Sequence, residues 1–338
     1  MRNYIFILGL VVCSSVIFGQ TQFEKLVQEG ITHRDNGDFD KAIKAYEKAL
    51  KVDSESAFVH YQLAVAHMYV KEYKDAISHA DQVIKMDDQF VVESYVLKGS
   101  CLDYMGKQEQ SIKVYKKGLK KQGDHHLLYY NMGYVYYDMG QYDEAEEAVI
   151  NAINAKPDHA TSHLLLGLLK MDKGQKVQSL LCLHYFLLLE PNSERAQTAY
   201  ELLQEQFGGN VERDGNTPNQ INIFADAGEI DSEFSAANMM ISMLAATKFL
   251  EENEGKTEEE LFIENTTSFF VILGELKEKK NKGLWWDFYV PLFYDLAESK
   301  HIDTYCYYIS QSSSEVAVDW LAKNEKRISS FNQWLNER

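Results

Sequence analysis

The sequence predicts an all-α protein, in which an α-solenoid of five helix-turn-helix repeats and a capping helix is followed by a separate all-α C-terminal domain. A period of 34 residues runs from about residue 23 to residue 193. Small side chains recur at fixed offsets within that period, and a second region with helical spacing follows without it. Helical repeats of this length stack on one another, because a single helix pair cannot bury its apolar face alone.

Small residues mark where the two helices of each repeat come together. One phase of the period holds Gly30, Ala64, Gly99, Gly133 and Gly167, and twelve residues after each come Ala42, Ala76, Ser111, Ala145 and Ser179. Turn glycines lie between these two positions at Gly37, Gly106, Gly140 and Gly174. The pattern predicts repeats near residues 23–56, 57–90, 92–125, 126–159 and 160–193.

These residues resemble the tetratricopeptide repeat (TPR) family. The fourth copy carries the family pattern most fully, in Gly133, Tyr136, Gly140, Tyr142, Ala145, Ala152 and Pro157. The resemblance covers somewhat more than half of the chain, and the sequence as a whole resembles exported bacterial proteins in which such repeats precede an uncharacterised helical extension. It implies the solenoid fold but says little about function, because one fold serves many functions.

The chain beyond the repeats divides into a cap, a linker and a helical domain. Residues 194–207 keep helical spacing in Ala196, Ala199 and Leu203 and have a polar outer face, as a solenoid cap requires. Together with the repeats they make an array over residues 23–207. Residues 208–230 are rich in Gly, Asn and Asp and predict a linker. Residues 231–338 then show helical spacing, with a capping-box start at Thr257 and a helix break near Asn324.

The N-terminal residues 1–19 predict a secretory signal peptide. Arg2 precedes an apolar stretch from Tyr4 to Val12, which is too short to favour a transmembrane helix. Cleavage before Gln20 would send the protein to the periplasm or outside the cell. The sequence around Cys13 superficially resembles a lipoprotein box, but the bulky Val12 before it favours simple export over lipid anchoring.

Charge and cysteine content exclude several classes of function. The formal net charge is −17 at pH 7, so the chain repels phosphate backbones and we expect no nucleic-acid partner. If Cys13 leaves with the signal peptide, Cys101, Cys182 and Cys306 remain; they are odd in number and far apart, and therefore predict buried thiols rather than a disulfide framework. The sequence leaves the oligomeric state open.

The family resemblance implies which residues bind a partner. In TPR proteins the first helix of each repeat lines a concave groove, at positions three before and one, four and five after the repeat glycine. The side chains proposed to line it here are Tyr61, Val65, Met68, Tyr69, Tyr104, Tyr130, Tyr134, Tyr137, Leu168 and Met171, with an acidic rim of Asp103, Asp138 and Asp172. Tyrosines suit the gripping of a peptide or helix, and the acidic rim favours a basic protein partner. The family's clamp for a C-terminal carboxylate needs Lys, Asn and Arg on this face. Of these residue types the face has only Arg34, so the sequence disfavours a carboxylate clamp.

Two alternatives stay open at this stage. In the first, the groove is filled by the C-terminal region of the same chain and not by an external partner. In the second, the C-terminal region holds an unrecognised catalytic site. The run His301, Asp303 and Cys306 is too short for an assembled triad. The pair His159 and His163 lacks further ligands. We therefore expect a non-catalytic interaction protein of the cell envelope, without catalytic residues, metal site or cofactor.

Overall fold

The computed structural model describes residues 21–208, 211–213, 221–223, 233–250 and 253–338. The predicted signal segment and Cys13 lie outside these residues. The chain divides into two compact units, residues 1–155 and 156–338. None of the described helices is long and apolar enough to cross a membrane.

The first unit consists of helix pairs in the predicted order. Its helices are α1 (residues 21–35), α2 (Phe39–Leu50), α3 (Ala57–Tyr69), α4 (Tyr73–Met86), α5 (Val91–Tyr104), α6 (Gln108–Gln122), α7 (His126–Asp138) and α8 (Tyr142–Ala155). Each pair matches one predicted repeat. The prediction of an all-α repeat fold is confirmed.

Close approach of the two helices explains the repeat glycines. A Cβ atom added to Gly30 would lie 2.3 Å from Cε1 of Tyr46, and one added to Gly99 would lie 2.2 Å from Cε1 of Tyr115. Both tyrosines are buried, so a larger residue at either glycine would displace an aromatic ring of the core. The small residues therefore mark helix contacts, as predicted.

The turn inside each repeat uses a left-handed backbone. Gly37 and Gly106 have φ values of +77° and +70°, a region that glycine enters without steric cost. The second repeat places Lys71 in this turn instead, at φ +64°. The non-glycine residue explains why the turn-glycine pattern skips this repeat.

The second unit contains the fifth repeat, the cap and the C-terminal helices. Its elements are α9 (Ala160–Asp172), α10 (Lys176–Leu189), α11 (Glu194–Gly208), β1 (Val211–Arg213), β2 (Ile221–Ile223), α12 (Ser235–Ala246), a 3₁₀ turn (Thr247–Phe249), α13 (Glu258–Glu275), a π-helical segment (Leu284–Tyr289), α14 (Val290–Ala297), α15 (Ile302–Ser310), α16 (Glu315–Lys323) and α17 (Glu325–Asn336). The two strands pair antiparallel, with Val211 opposite Ile223; three alternating residues could not establish that pairing from sequence. The capping box at Thr257 and the helix break at Asn324 are confirmed.

Helix α10 explains why the fifth repeat groups with the C-terminal helices. Its sequence, KVQSLLCLHYFLLL, is apolar on nearly every face, and all but a few of its residues are buried. A helix that is apolar all round needs cover on both sides, and helices α12 and α15 and the π-helical segment contact it. This grouping differs from the predicted limits of 23–207 and 231–338. Most of the predicted linker 208–230 lies outside the described residues.

His184 lies at the centre of the second unit's core. Six aromatic rings have centroids between 4.9 and 6.4 Å from its imidazole, those of Phe207, Phe262, Phe269, Phe270, Phe293 and Tyr305. Its Nδ1 lies 2.8 Å from the Tyr305 hydroxyl. Burial lowers the pKa of His184 to about 3, so this histidine is a neutral core residue at physiological pH.

Candidate protein-binding face

Three of the predicted groove tyrosines are exposed in the first unit. Tyr69, Tyr104 and Tyr134 have exposed fractions of 59%, 62% and 47%. They belong to the first helices of repeats two, three and four, namely α3, α5 and α7. Tyr46 and Tyr115, which pack inside the repeats, are at most 1% exposed. These three groove tyrosines are therefore exposed, whereas tyrosines that pack between the two helices of a repeat are buried.

The remaining predicted groove residues of the first unit are partly buried beside them. These are Tyr61, Val65, Met68, Tyr130 and Tyr137, together with the rim residue Asp103, whereas the rim residue Asp138 is exposed. We call the whole set, with Tyr69, Tyr104 and Tyr134, the groove face. It combines apolar side chains with phenol hydroxyls and carboxylates.

Aromatic residues from the second helices extend the groove face. Tyr69 stacks on Phe39, with ring centroids 4.3 Å apart and planes within 5°. Tyr104 lies 5.6 Å from Tyr73. Phe39 and Tyr73 are the first residues of α2 and α4, so the start of one repeat's second helix contacts the groove tyrosine of the next repeat. Sequence reasoning missed these contacts, although the recurring aromatic at the start of the second helix was a usable signal.

A pocket of about 360 Å³ lies at the first and second repeats, lined by Arg34, Phe39, Tyr61, Gln62, Val65 and Tyr69. Arg34 is already engaged there, since Nη1 donates to Gln62 Oε1 at 2.6 Å and Nη2 to Asp35 Oδ1 at 2.7 Å. Burial is the main cause of the raised pKa of Tyr61, and its hydroxyl therefore keeps its proton at neutral pH. The pocket offers an aromatic wall and hydrogen-bond donors to a partner side chain.

Two acidic side chains, Asp103 and Asp138, interact electrostatically at the rim. Gln108 donates a hydrogen bond to the carboxylate of Asp138. Burial raises the pKa of Asp103, and the negative charge of Asp138 raises it further. Like charges so placed destabilise each other until a cation approaches. The rim therefore carries two interacting carboxylates.

The fifth repeat carries the last predicted groove residues, within the second unit. Leu168 and Met171 are partly buried on α9, and Asp172 is exposed. Contacts from the C-terminal helices fall on another face of α9. His163 Nδ1 lies 2.6 Å from the Tyr289 hydroxyl, and Lys170 Nζ lies 5.2 Å from the Trp285 ring. Within this unit, the π-helical segment thus contacts α9 at His163 and Lys170.

Three histidines of the second repeat form a cluster that the sequence did not predict. Nδ1 of His60 lies 2.9 Å from Nδ1 of His79, and the rings of His67 and His79 stack with centroids 5.5 Å apart. Burial, followed by the charges of His60 and His67, lowers the pKa of His79 to about 4. His79 is therefore uncharged near neutral pH.

His67 also belongs to a group of possible metal ligands with Glu72 and Asp75, whose ligand atoms lie within 4.8 Å of one another. His67 Nδ1 lies 2.7 Å from Glu72 Oε2 across the turn. The first repeat has a similar but longer contact at the same phase, where His33 lies 3.8 Å from Asp38. The histidine–carboxylate contact thus recurs in both repeats, which indicates that it stabilises the turn between the two helices of a repeat.

The run of His301, Asp303 and Cys306 does not form a nucleophilic site. Cys306 is buried, and burial raises the pKa of its thiol far above the ordinary value. Asp303 accepts a hydrogen bond from Arg327 Nη2 at 2.7 Å. All three cysteines singled out from the sequence are free and buried, as predicted.

Comparison with known proteins identifies the repeats. Family models described as "TPR repeat" and "Tetratricopeptide repeat" match residues 30–68 and residues 92–124 and 127–159. The chain is 25% identical over 136 residues to the TPR repeat-containing protein MJ1428 of Methanocaldococcus jannaschii, covering 40% of this chain and 24% of that protein. It is 33% identical over 101 residues to small glutamine-rich tetratricopeptide repeat-containing protein 2 of Saccharomyces cerevisiae, covering 30% and 29%. The chain thus spans less than a third of the length of either relative.

Solved structures resemble the chain over about half its length. The crystal structure of MamA is 28% identical, with a TM-score of 0.41, and covers 48% of this chain and 94% of that one. That of TTC0263 from Thermus thermophilus is 18% identical, with a TM-score of 0.45, and covers 54% and 98%. TPR proteins generally mediate protein-protein interaction. The chain therefore contains repeats of the tetratricopeptide repeat family, over the residues that the family models match.

Proposed function

We propose that the groove face of the first unit binds a basic peptide or helix of a protein partner, and that the protein acts as a non-catalytic scaffold of the cell envelope. The observation that carries the proposal is the exposure of Tyr69, Tyr104 and Tyr134, at 59%, 62% and 47%. Exposed aromatic side chains repeated along one face are typical of binding surfaces.

Apolar burial would supply most of the affinity. A tyrosine buries a large, rigid surface with few rotatable bonds, so little side-chain entropy is lost on binding. Tyr69 and Tyr104 are each already held against another ring, Phe39 and Tyr73. This partial ordering lowers the entropic cost of association further.

The acidic rim would supply selectivity for basic partners. Asp103 and Asp138 repel each other, and the raised pKa of Asp103 reflects that repulsion after the larger effect of burial. A lysine or arginine placed between them would relieve it. Electrostatic attraction of this kind mainly speeds encounter and excludes acidic competitors.

The test is selection of peptides by the purified protein from a random 12-residue peptide library, followed by fluorescence anisotropy at several salt concentrations. We expect selected peptides to combine apolar residues with Lys or Arg, and their affinity to fall with rising salt. The variant Tyr104→Ala plus Tyr134→Ala should weaken binding at least about tenfold, since tyrosine anchors typically contribute more than 1 kcal/mol each.

A matched control distinguishes binding at the groove face from nonspecific binding to exposed apolar side chains elsewhere. Val316 and Val318 of α16 are 56% and 50% exposed, so Val316→Ser plus Val318→Ser removes exposed apolar surface elsewhere. It should leave the affinity unchanged. Equal affinity for wild type and the tyrosine variant, or selection of acidic peptides, would refute the proposal.

A further inference from the structure

A basic pocket lies between the start of α15 and the first turns of α17. Its volume is about 300 Å³, and it is lined by Lys300, His301, Lys326, Arg327 and Ser330. Four of the five are basic residues, in a chain whose net charge is −17. We call this site the basic pocket.

Both helices that border the pocket place basic residues at their positive ends. Lys326 and Arg327 lie in the first turn of α17, and Lys300 and His301 immediately precede α15. The unpaired N–H groups of a first helical turn carry partial positive charge, which favours acidic side chains and disfavours basic ones. Neither N-cap, His301 or Asn324, makes a side-chain hydrogen bond to its helix. The arrangement therefore concentrates positive potential.

Neighbouring carboxylates offset only part of this charge. Asp303 pairs with Arg327, whose Nη2 donates to Oδ2 at 2.7 Å. Glu325 is the acidic residue in the first turn of α17. Within the described ranges, no carboxylate lies within ion-pairing distance of Lys300 or Lys326. Two ammonium groups thus remain without counter-charge at the pocket.

His301 adds a buried polar group that lines the pocket. It is 6% exposed, and its ring nitrogens have no hydrogen-bond partner among the residues that the structure describes. Burial lowers its pKa, and the charges of Lys300 and Arg327 lower it further. An imidazole N–H in this position can donate to a bound anion.

We propose that the basic pocket binds the phosphate group of a small soluble phosphomonoester. Lys300 and Lys326 would supply point charges, Arg327 a planar fork of N–H donors, and Ser330 a hydroxyl donor, which together match the oxygens of a phosphate dianion. Its volume of about 300 Å³ is at the lower end for small-molecule sites, so the ligand is compact. This site is independent of the groove face.

Isothermal titration calorimetry of the full chain with inorganic phosphate and with glycerol 3-phosphate tests the proposal, with sodium chloride at matched ionic strength as the blank. We expect saturable one-site binding of both phosphates. Lys300→Gln plus Lys326→Gln should weaken it at least tenfold. These two side chains are exposed, so the variant should fold, which circular dichroism checks.

The control is Lys277→Gln plus Lys279→Gln, which makes the same charge change at two other exposed lysines of this unit and should leave phosphate binding unchanged. The absence of saturable binding, or equal affinity in Lys300→Gln plus Lys326→Gln and wild type, would overturn the proposal. A third arm uses vesicles containing phosphatidic acid. If the protein binds these vesicles and free glycerol 3-phosphate does not inhibit that binding, the ligand is a lipid headgroup. This result would overturn the proposal of a soluble phosphomonoester.

Discussion

The two units place aromatic residues differently on the same repeat architecture. In the first unit, tyrosines at groove positions remain exposed, as Tyr104 does at 62%. In the second unit, the fifth repeat is covered by C-terminal helices, and Tyr289 and Tyr305 are fully buried against His163 and His184. Aromatic side chains thus stay accessible to solvent in one unit and build the core of the other.

The difference originates in the second helix of the repeat. Helix α2 alternates apolar and charged residues and buries one face, whereas α10 is apolar nearly all round and has eleven buried residues. An amphipathic helix leaves its outer face in water, while a fully apolar helix requires a second layer. The repeat pattern alone therefore does not tell an interaction surface from a core.

The largest expected effect contrasts one buried ring with one exposed ring. Phe270 is fully buried, with its centroid 4.9 Å from that of His184. Phe270→Ala should lower the free energy of unfolding by about 3–5 kcal/mol, because it removes buried surface and leaves a cavity. Tyr104→Ala should change it by less than about 1 kcal/mol. Urea denaturation measures both free energies of unfolding. Similar losses for the two variants would show that the buried ring of Phe270 contributes no more to stability than the exposed ring of Tyr104.

Acid should destabilise the protein through its buried histidines. The folded-state pKa of His184 is about 3, whereas a histidine in an unfolded chain titrates near 6.5. Between these values the unfolded chain binds a proton that the folded protein does not, so stability falls as the pH drops below 6.5, by about 1.4 kcal/mol per pH unit for this group.

His184→Leu removes this proton uptake, and the variant should therefore lose less stability than wild type between pH 6 and pH 5. Urea denaturation at both pH values gives the difference. An equal loss in the variant and in wild type would mean that His184 is not a buried neutral group.

The hydroxyl of Tyr305 should contribute less to stability than the ring of Phe270. It lies 2.8 Å from His184 Nδ1 and donates to the His184 carbonyl oxygen at 3.2 Å. Tyr305→Phe leaves the buried Nδ1 of His184 without its partner and should cost about 1–3 kcal/mol. The same change at exposed Tyr134 serves as the control and should be neutral. A neutral Tyr305→Phe would show that the hydroxyl is dispensable for the core.

The smallest expected change in stability concerns the acidic rim. The raised pKa of Asp103 means that its charged form is disfavoured in the folded protein, so ionisation at neutral pH lowers stability slightly. Asp103→Asn should therefore leave stability unchanged or raise it by roughly 0.5 kcal/mol, while weakening the binding of a basic peptide severalfold. Thermal unfolding at pH 7 and fluorescence anisotropy measure the two effects, and stronger peptide binding would contradict the account.

Local patterns in the sequence predicted the repeats well. Gly99 and its counterparts lie where helices touch, and Thr257 begins a helix with a capping box, because spacing and capping are decided within a few residues. The contact between Tyr69 and Phe39, 30 residues apart, depends on how repeats stack and was missed. Lys300 and Lys326 line the same pocket because short helices pack together. No sequence pattern predicts that packing, so the basic pocket could not be found from the sequence.

Photocrosslinking determines whether the groove face is the binding surface. Replacing Tyr104 by p-benzoylphenylalanine places a reactive group on that face, and replacing Val316, which is 56% exposed, places one on α16 as a control. With a peptide selected from the library, we expect a covalent product from position 104 and none from position 316. A product from position 316 alone, or from neither position while the peptide binds, would contradict the account.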